Sequence, residues 1–258
     1  AHKGYTKSAP RRAVGREDIE VDQETIDDER QQQIRAFMEN RPERIPRPRD
    51  SATVILLRKG QNRIETLLGQ RGKKATFASV YVFPGGKVDA SDKRAAYATD
   101  LPSNTLAKIA SKPDLARSYP MAAVRELLEE TGLWITAPGS VGESRNPTYG
   151  EMAARGHAPA LDRLQYVGQA ITPMYRPKRF NARFFLAWEE ATEGQLGGSG
   201  ELSNLHWVSI NDALALPTVA ITKFMLKHVQ DMADAGFPAI DRSIFFTWRN
   251  GKRYIRQR

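Results

Sequence analysis

Residues 125–133 are the part of the sequence best suited to chemistry. They read Arg-Glu-Leu-Leu-Glu-Glu-Thr-Gly-Leu, and the apolar spacing predicts a helix over residues 121–131 that begins near Pro120 and ends at Gly132. At 100° per residue, three carboxylates share the helix face opposite the apolar one; they are Glu126, Glu129 and Glu130. Hard divalent cations such as Mg²⁺ take carboxylate ligands and share them with substrate phosphates. The helix therefore predicts a metal site for phosphate chemistry, and an ordinary solvated acidic surface is the alternative.

A glycine-rich loop precedes this helix in the chain. Residues 80–83 predict a short strand that stops at Pro84-Gly85-Gly86. Glycine at such a stop lets the backbone approach a ligand or a metal ion closely. We expect the loop and the acidic helix to form one site.

Together the two segments resemble the signature of the Nudix hydrolases, which is Gly, five residues, Glu, seven residues, then Arg-Glu-aliphatic-any-Glu-Glu-any-Gly-aliphatic. Gly86 matches the first glycine, and residues 125–133 match every specified position of the second half. Asp92 stands where the family has Glu, and we expect this shorter acid to be peripheral to the site. Residues 93–124 provide 32 positions where the signature has seven, which is an insertion of 25 residues. This interruption, together with residues 173–186, resembles the branch that includes peroxisomal coenzyme A diphosphatases. The resemblance covers about residues 51–233.

The resemblance implies a hydrolase that cleaves a nucleoside diphosphate linked to another moiety, such as coenzyme A, ADP-ribose or a dinucleotide, by attack of water at phosphorus. It implies Mg²⁺ or Mn²⁺ as the cofactor, with Arg125 orienting the glutamates. The implied metal ligands are Glu126, Glu129, Glu130 and the backbone carbonyl of Gly85. Glu126 is also a candidate for the catalytic base. In this superfamily the base can instead come from a loop before the last core strand, where Glu201 and then Glu193 are candidates; a solvent-facing acid is the alternative.

Arginines elsewhere in the chain are candidates for binding the substrate's phosphates, because guanidinium groups suit bidentate contacts. A strand over residues 182–188 that extends back to Arg179 would place Arg179 and Arg183 on one face; exposed basic residues on a sheet edge are the alternative. Arg71, Lys73 and Lys74 precede the glycine loop, and a surface position is the favoured interpretation for them. Residues 67–71 resemble in part a further motif of coenzyme A-specific Nudix enzymes.

The elements around these residues predict an α/β fold, an α/β/α sandwich with a mixed central sheet. We divide the chain into an N-terminal extension with a helix and a proline-rich linker (1–50), a Nudix domain (51–235) with its insertion at 93–119, and a basic C-terminal β-hairpin (236–258). The hairpin is indicated by the Asn250-Gly251 turn. Because both ends of the insertion are fixed beside Asp92 and Arg125, we expect it to form one wall of the substrate site.

Composition limits the function further. The 258 residues carry a net charge of +9 and no cysteine, which excludes disulfides, thiolate metal sites and cysteine nucleophiles. No membrane-spanning or signal-like segment is visible, so a cytoplasmic protein is expected. The last 17 residues are rich in arginine and aromatic residues, so the alternative function is a catalytically silent nucleotide sensor or a nucleic-acid-binding module. A homodimer formed through one of the extensions is a further expectation, and a monomer is the alternative.

Overall fold

A large mixed β-sheet runs through the protein, and helices cover both of its faces. The computed structural model describes residues 28–61, 63–72, 80–249 and 252–258. The helices are α1 (Asp28–Glu39), α2 (Ser103–Ile109), α3 (Pro113–Thr131), α4 (Pro147–Ala154), α5 (Ile210–Ala215) and α6 (Ala220–Asp234). The strands are β1 (Arg49–Lys59), β2 (Ile64–Arg71), β3 (Tyr81–Val82), β4 (Gly85–Lys87), β5 (Leu133–Trp134), β6 (Thr136–Pro138), β7 (His157–Pro159), β8 (Gln165–Ile171), β9 (Phe180–Trp188), β10 (Glu193–Gly194), β11 (Leu202–Ser209), β12 (Ile244–Arg249) and β13 (Lys252–Gln257).

The strand order in the large sheet is β11-β2-β1-β9-β8-β12-β13, with β3 paired to β2 and β4 paired to β1. Strand β1 runs parallel to β9, from the pair Arg49–Phe180 to the pair Leu57–Trp188. Strand β12 runs parallel to β8, and the other neighbouring pairs are antiparallel. The central sheet is therefore mixed, as the sequence predicts.

Alternate residues of β1 point into two separate hydrophobic cores, as the twofold period of a strand requires. Ala52, Val54 and Leu56 belong to the core under α2, α3 and α4. Ile55 and Leu57 belong to the core on the other face, which α5 and α6 cover. Helices on both faces of one sheet confirm the predicted α/β/α sandwich.

The acidic helix is longer than the sequence predicts. It begins at Pro113, so Pro120 lies inside it and not at its first turn. An internal proline removes one hydrogen bond of the helix, but Tyr119 and Pro120 are buried here, and this packing outweighs the local preference. The inserted segment thus contributes the short helix α2 and the first turns of α3. Helix α2 begins at Ser103.

The C-terminal hairpin is part of the central sheet. Strand β12 pairs with β8 from Ile244–Gly168 to Phe246–Ala170. A side chain at Gly168 would overlap the carbonyl oxygen of Ile244, so glycine permits this close pairing. The division placed at residue 236 therefore does not correspond to a break in the sheet. Phe245, Phe246 and Arg253 are buried, which removes much of the aromatic and basic surface expected for nucleic-acid binding.

Several parts of the sequence discussed above lie outside the described residues: residues 1–27 of the N-terminal extension, Lys73, Lys74 and the Asn250-Gly251 turn. In the ranges that the structure covers, no helix combines the length and the hydrophobicity needed to span a membrane.

Candidate active site

Arg125 and Asp92 form a buried ion pair at the base of the site. Arg125 Nε donates to Asp92 Oδ1 (2.8 Å) and Nη2 donates to Oδ2 (3.0 Å), and both residues are only 2% exposed. Asp92 also accepts from the Tyr149 hydroxyl (2.8 Å) and from the Asp89 backbone N–H (2.6 Å). Such a fully bonded pair fixes the guanidinium in one orientation.

The fixed guanidinium holds two of the predicted glutamates. Arg125 Nη1 donates to Glu126 Oε1 (2.9 Å) and to Glu129 Oε2 (3.1 Å). The second oxygen of Glu129 accepts from the Thr148 hydroxyl at the start of α4 (2.5 Å). Arg125 therefore contacts both glutamates through one guanidinium nitrogen.

The glycine loop packs directly on the acidic face of α3. The Gly85 backbone N–H donates to Glu130 Oε2 (2.7 Å), and β4 is held against β1 through the pairs Thr53–Gly85 and Ala52–Gly86. A Cβ atom at Gly86 would overlap the Glu126 carboxylate. Alanine at this position would therefore force the Glu126 carboxylate to move, and the loop and the helix contact each other directly.

Burial makes two of the glutamates weaker acids than an ordinary glutamate. Desolvation raises the pKa of Glu126 to about 7, partly offset by Arg125. Desolvation also raises the pKa of Glu130 to about 8, although the Gly85 N–H bond lowers it. The charge of Glu201 raises both pKa values, so this loop acid lies close to the two glutamates.

The oxygen atoms of this site suit a hard divalent cation. Carboxylate oxygens of α3 lie against the backbone of Gly85 and Gly86, where the loop carries no side chains. Uncompensated charge on these buried glutamates is costly, and a cation would relieve it. Among the described residues, however, no three acidic or histidine side chains converge on one point in the way that direct coordination of an ion needs. In this arrangement Arg125 and the Gly85 N–H donate to carboxylate oxygens of all three glutamates.

The acidic face lies at one end of a cleft of about 1030 Å³. Arg125, Glu126, Glu129, Gly85 and Gly86 line that end, and Arg71 and Glu201 line it as well. The loop before β11 is fastened to the end of α3, because Ser199 N donates to the Glu129 carbonyl (2.9 Å) and Gly197 N to the Thr131 carbonyl (2.8 Å). Glu193, the second candidate base, instead pairs with Trp134 in a separate two-stranded sheet.

The two candidate phosphate-binding arginines of the β9 region do not share a face. Strand β9 begins at Phe180 and does not reach Arg179, so the alternation that would pair Arg179 with Arg183 does not apply. Arg183 is buried, donates to the Ile109 carbonyl (2.9 and 3.1 Å) and covers the Tyr119 ring. It therefore points away from the cleft, to the α2 and α3 side of the sheet, where it braces the inserted segment.

Arg179 does line the cleft, but part of its guanidinium is already in use. Nη1 donates to the Pro46 carbonyl (2.8 Å) and Nε donates to the Thr172 carbonyl (3.2 Å). Burial lowers its pKa from the ordinary value of arginine. Arg179 therefore joins the N-terminal linker to the β8–β9 loop beside the cleft.

The insertion does not form a wall of this cleft. Residues 93–119, all of which the structure describes, contribute no lining side chain. Leu101, Leu106, Ile109 and Tyr119 are buried in the core under α3 instead. The ends of an insertion fix only where it starts and stops, and here apolar side chains carry its middle onto the opposite face of the sheet.

Other residues of the site were missed by sequence reasoning. Asp92 was expected to be peripheral but is the buried anchor of Arg125. Thr148 and Tyr149 carry no local signal of function; only Asn146, which caps α4 by accepting from the N–H groups of both, marks their helix in the sequence. The linker residues Arg47 and Arg49 and the hairpin residue Trp248 also line the cleft, although both segments lie outside the recognisable family core.

Comparison with known proteins agrees with this geometry. The chain is 27% identical, over 172 residues, to putative nudix hydrolase 7 of Caenorhabditis elegans; the match covers 62% of this chain and 51% of that protein, so the chain spans about half the length of this relative. It is also similar to the crystal structure of a NUDIX hydrolase from Alicyclobacillus acidocaldarius, with a TM-score of 0.56 and 27% identity over 71% of this chain and 91% of the other. No protein-family model matches the sequence. The signature residues gathered at one end of the cleft and these two similarities support a relationship of this chain to the Nudix hydrolase superfamily.

Proposed function

We propose that the protein is a metal-dependent pyrophosphohydrolase that cleaves a nucleoside diphosphate linked to another moiety. The observation that carries this proposal is the contact of the acidic face of α3 with Gly85 and Gly86 at the end of a cleft. Buried carboxylates beside an open backbone loop suit a cation and a phosphate better than they suit an uncharged ligand.

Glu126, Glu129 and Glu130 would hold the cation, with the Gly85 carbonyl as a further oxygen. Bound Mg²⁺ or Mn²⁺ supplies polarisation of a phosphoryl oxygen and a lowered pKa of bound water. Arg125 keeps Glu126 and Glu129 in place through the bonds described above. Glu126 or Glu201 accepts the proton of the attacking water, and Arg71 faces the phosphate charge from the edge of the cleft.

The substrate class follows from the rest of the cleft. Besides the acidic end, the lining contains arginine and lysine side chains and the aromatic residues Phe180, Phe184 and Trp248. Such a surface suits a polyanion with a flat or apolar part. Coenzyme A, ADP-ribose and dinucleoside polyphosphates all have this character, and the interrupted signature favours the coenzyme A-like branch among them.

A substrate panel tests the proposal. The purified protein is incubated with coenzyme A, ADP-ribose and dinucleotides in Mg²⁺ or in Mn²⁺, and both products are identified by mass. We expect turnover with the metal and none in EDTA. Glu129→Gln should lower kcat at least about 100-fold, because loss of even an outer-shell partner of a metal typically costs 10- to 100-fold.

The matched control is Glu151→Gln, since Glu151 is exposed on α4 and does not line the cleft. It removes one carboxylate charge without touching the site and should keep full activity. Equal activity of the Glu129 variant and the Glu151 variant would refute the assignment of the acidic face as the catalytic centre.

A further inference from the structure

The cleft has a second, basic end that the hydrolysed diphosphate does not explain. The acidic residues that line the cleft are Asp89, Glu126, Glu129 and Glu201. Its other charged lining residues include a group from two neighbouring segments, the linker before β1 and the β8–β9 loop. We call this group the basic end: Arg47, Arg49, Arg176, Lys178 and Arg179.

The distance between the two ends follows from the register of β1. Arg49, Ser51 and Thr53 all line the cleft, as alternate residues of one strand should. Thr53 pairs with Gly85 beside Glu130, whereas Arg49 pairs with Phe180 at the basic end. Four residues of strand span ~13 Å, which is longer than a diphosphate group, so an anion bound at the glutamates does not reach Arg49.

The basic end is held together by hydrogen bonds between its two segments. Arg179 donates to the Pro46 carbonyl of the linker and to Thr172 in the loop, and Arg49 N donates to the Arg179 carbonyl (2.9 Å). Thr172 is itself bonded to Phe180, since its hydroxyl accepts from Phe180 N (3.0 Å). The linker is therefore fixed against the loop before any ligand arrives, which lowers the entropic cost of binding.

The surface between the two ends is apolar and aromatic. Phe180 and Ala182 face the cleft from alternate positions of β9 and Trp248 faces it from β12, with the buried Phe184 and Phe246 behind them. A nucleoside suits this surface, because its base can pack on aromatic side chains while charged groups extend to either side.

We propose, on the basis of the function proposed above, that the basic end is a second anion site, which binds a phosphomonoester carried by the nucleoside part of the substrate. Arg47 and Lys178 supply charge at the mouth of the site, where both side chains are exposed. Arg179 is a positioning residue that fastens the linker to the loop. The N-terminal linker, outside the family core, thus determines which nucleoside diphosphates the enzyme prefers.

Binding to matched pairs of compounds tests this site. The pairs are ADP-ribose with ADP-ribose 2′-phosphate, and dephospho-coenzyme A with coenzyme A, whose additional phosphate is on the 3′-oxygen. Dissociation constants are measured by calorimetry with the full chain in EDTA, so that no turnover occurs. Both members of a pair carry the same diphosphate, and its repulsion from the glutamates cancels in the ratio of their affinities.

We expect the phosphorylated member of at least one pair to bind about tenfold more tightly or better, because its additional phosphate accepts charge-assisted hydrogen bonds from the basic side chains. Tenfold corresponds to about 1.4 kcal/mol. The double variant Arg47→Gln/Lys178→Gln should reduce that ratio to about threefold or less. The control Arg44→Gln/Lys112→Gln also removes two exposed positive charges, but neither residue lines the cleft, and it should keep the ratio of the unmodified protein.

Two results would overturn the proposal: equal affinity for both members of each pair, or a preference that the Arg47/Lys178 variant retains in full. Turnover of the same compounds in Mg²⁺ or Mn²⁺ is scored separately. Absent turnover counts against the proposed hydrolase, whereas an absent affinity ratio counts against the second anion site.

Discussion

At the scale of single residues, the site is organised by Arg125 and by what holds it. Its signature neighbours Glu126 and Glu129 are recognisable from spacing alone, because they lie within one turn of the same helix. The residues that hold Arg125 in place cannot be recognised from spacing. Asp92 is 33 positions away from Arg125, and Tyr149, which donates to Asp92, is 57 positions away from Asp92. Only the fold brings them together, and that is why sequence reasoning placed Asp92 at the periphery.

Replacing Asp92 by Asn should destabilise the protein strongly. The change leaves the buried Arg125 charge without its counter-charge, and breaking one partner of a buried pair typically costs about 3–5 kcal/mol. The measurement is the free energy of unfolding from chemical denaturation.

Asp89→Asn is the control for this variant, because the Asp89 side chain is exposed and only its backbone N–H contacts Asp92. A surface change of this kind should alter the free energy of unfolding by no more than about 0.5 kcal/mol. Equal stability of the Asp92 and Asp89 variants would show that the ion pair is not what fixes Arg125.

At the scale of elements, the glycine loop and α3 are predictable and the insertion is not. The strand, loop and helix follow from local signals, namely glycine after a short apolar strand and a 3.6-residue apolar period. The position of residues 93–119 depends on long-range packing of Leu106, Ile109 and Tyr119, for which the sequence holds no local pattern. A helix that continues through Pro120 is a second case in which tertiary burial outweighs local preference.

Gly86→Ala tests the contact between β4 and α3. The added methyl group would overlap the Glu126 carboxylate and must displace it. A misplacement of about 1 Å can reduce catalysis about 100-fold, so kcat should fall to that extent while the fold, followed by circular dichroism, is retained.

Gly150→Ala is the matched control for the Gly86 variant. Gly150 lies in α4, and no atom lies within 4 Å of a Cβ atom added there. It should keep activity and stabilise the protein by up to about 1 kcal/mol, because alanine is the better helix former. Full activity of the Gly86 variant would mean that the loop does not set the position of Glu126.

At the scale of the whole molecule, both terminal extensions complete the central structure. The hairpin extends the sheet through β8, and the linker enters β1 at Arg49 and lines the cleft. Both were predicted to be separate from the domain. The pairing of residues 168 and 244 could not be predicted, because neither segment carries a local sequence pattern that indicates it. The α/β/α class was predictable from the order of elements. The residues that line the cleft were not, because they come from several strands that lie side by side only in the complete sheet.

Phe246→Ala tests whether the hairpin is integral. Phe246 is 2% exposed and its ring contacts Phe224 of α6 with centroids 4.9 Å apart. Truncating a buried Phe typically costs about 3–5 kcal/mol, so the free energy of unfolding should fall by this amount in a single cooperative transition. Arg256→Ala, at an exposed position of β13, should change it by about 0.5 kcal/mol or less. An unaffected main transition in the Phe246 variant would indicate an independent hairpin.

Hydrolysis in ¹⁸O-labelled water tests the central claim most directly. The best substrate of the panel is incubated in labelled water with the protein and Mn²⁺. The two products are then separated, and their masses are measured by mass spectrometry. Attack of water at phosphorus predicts two phosphate-bearing products, one of which carries a single ¹⁸O atom. When Glu129 is replaced by Gln, the label should be incorporated at least about 100-fold more slowly. Unlabelled products, or labelling that persists undiminished in the Glu129→Gln protein, would contradict the account.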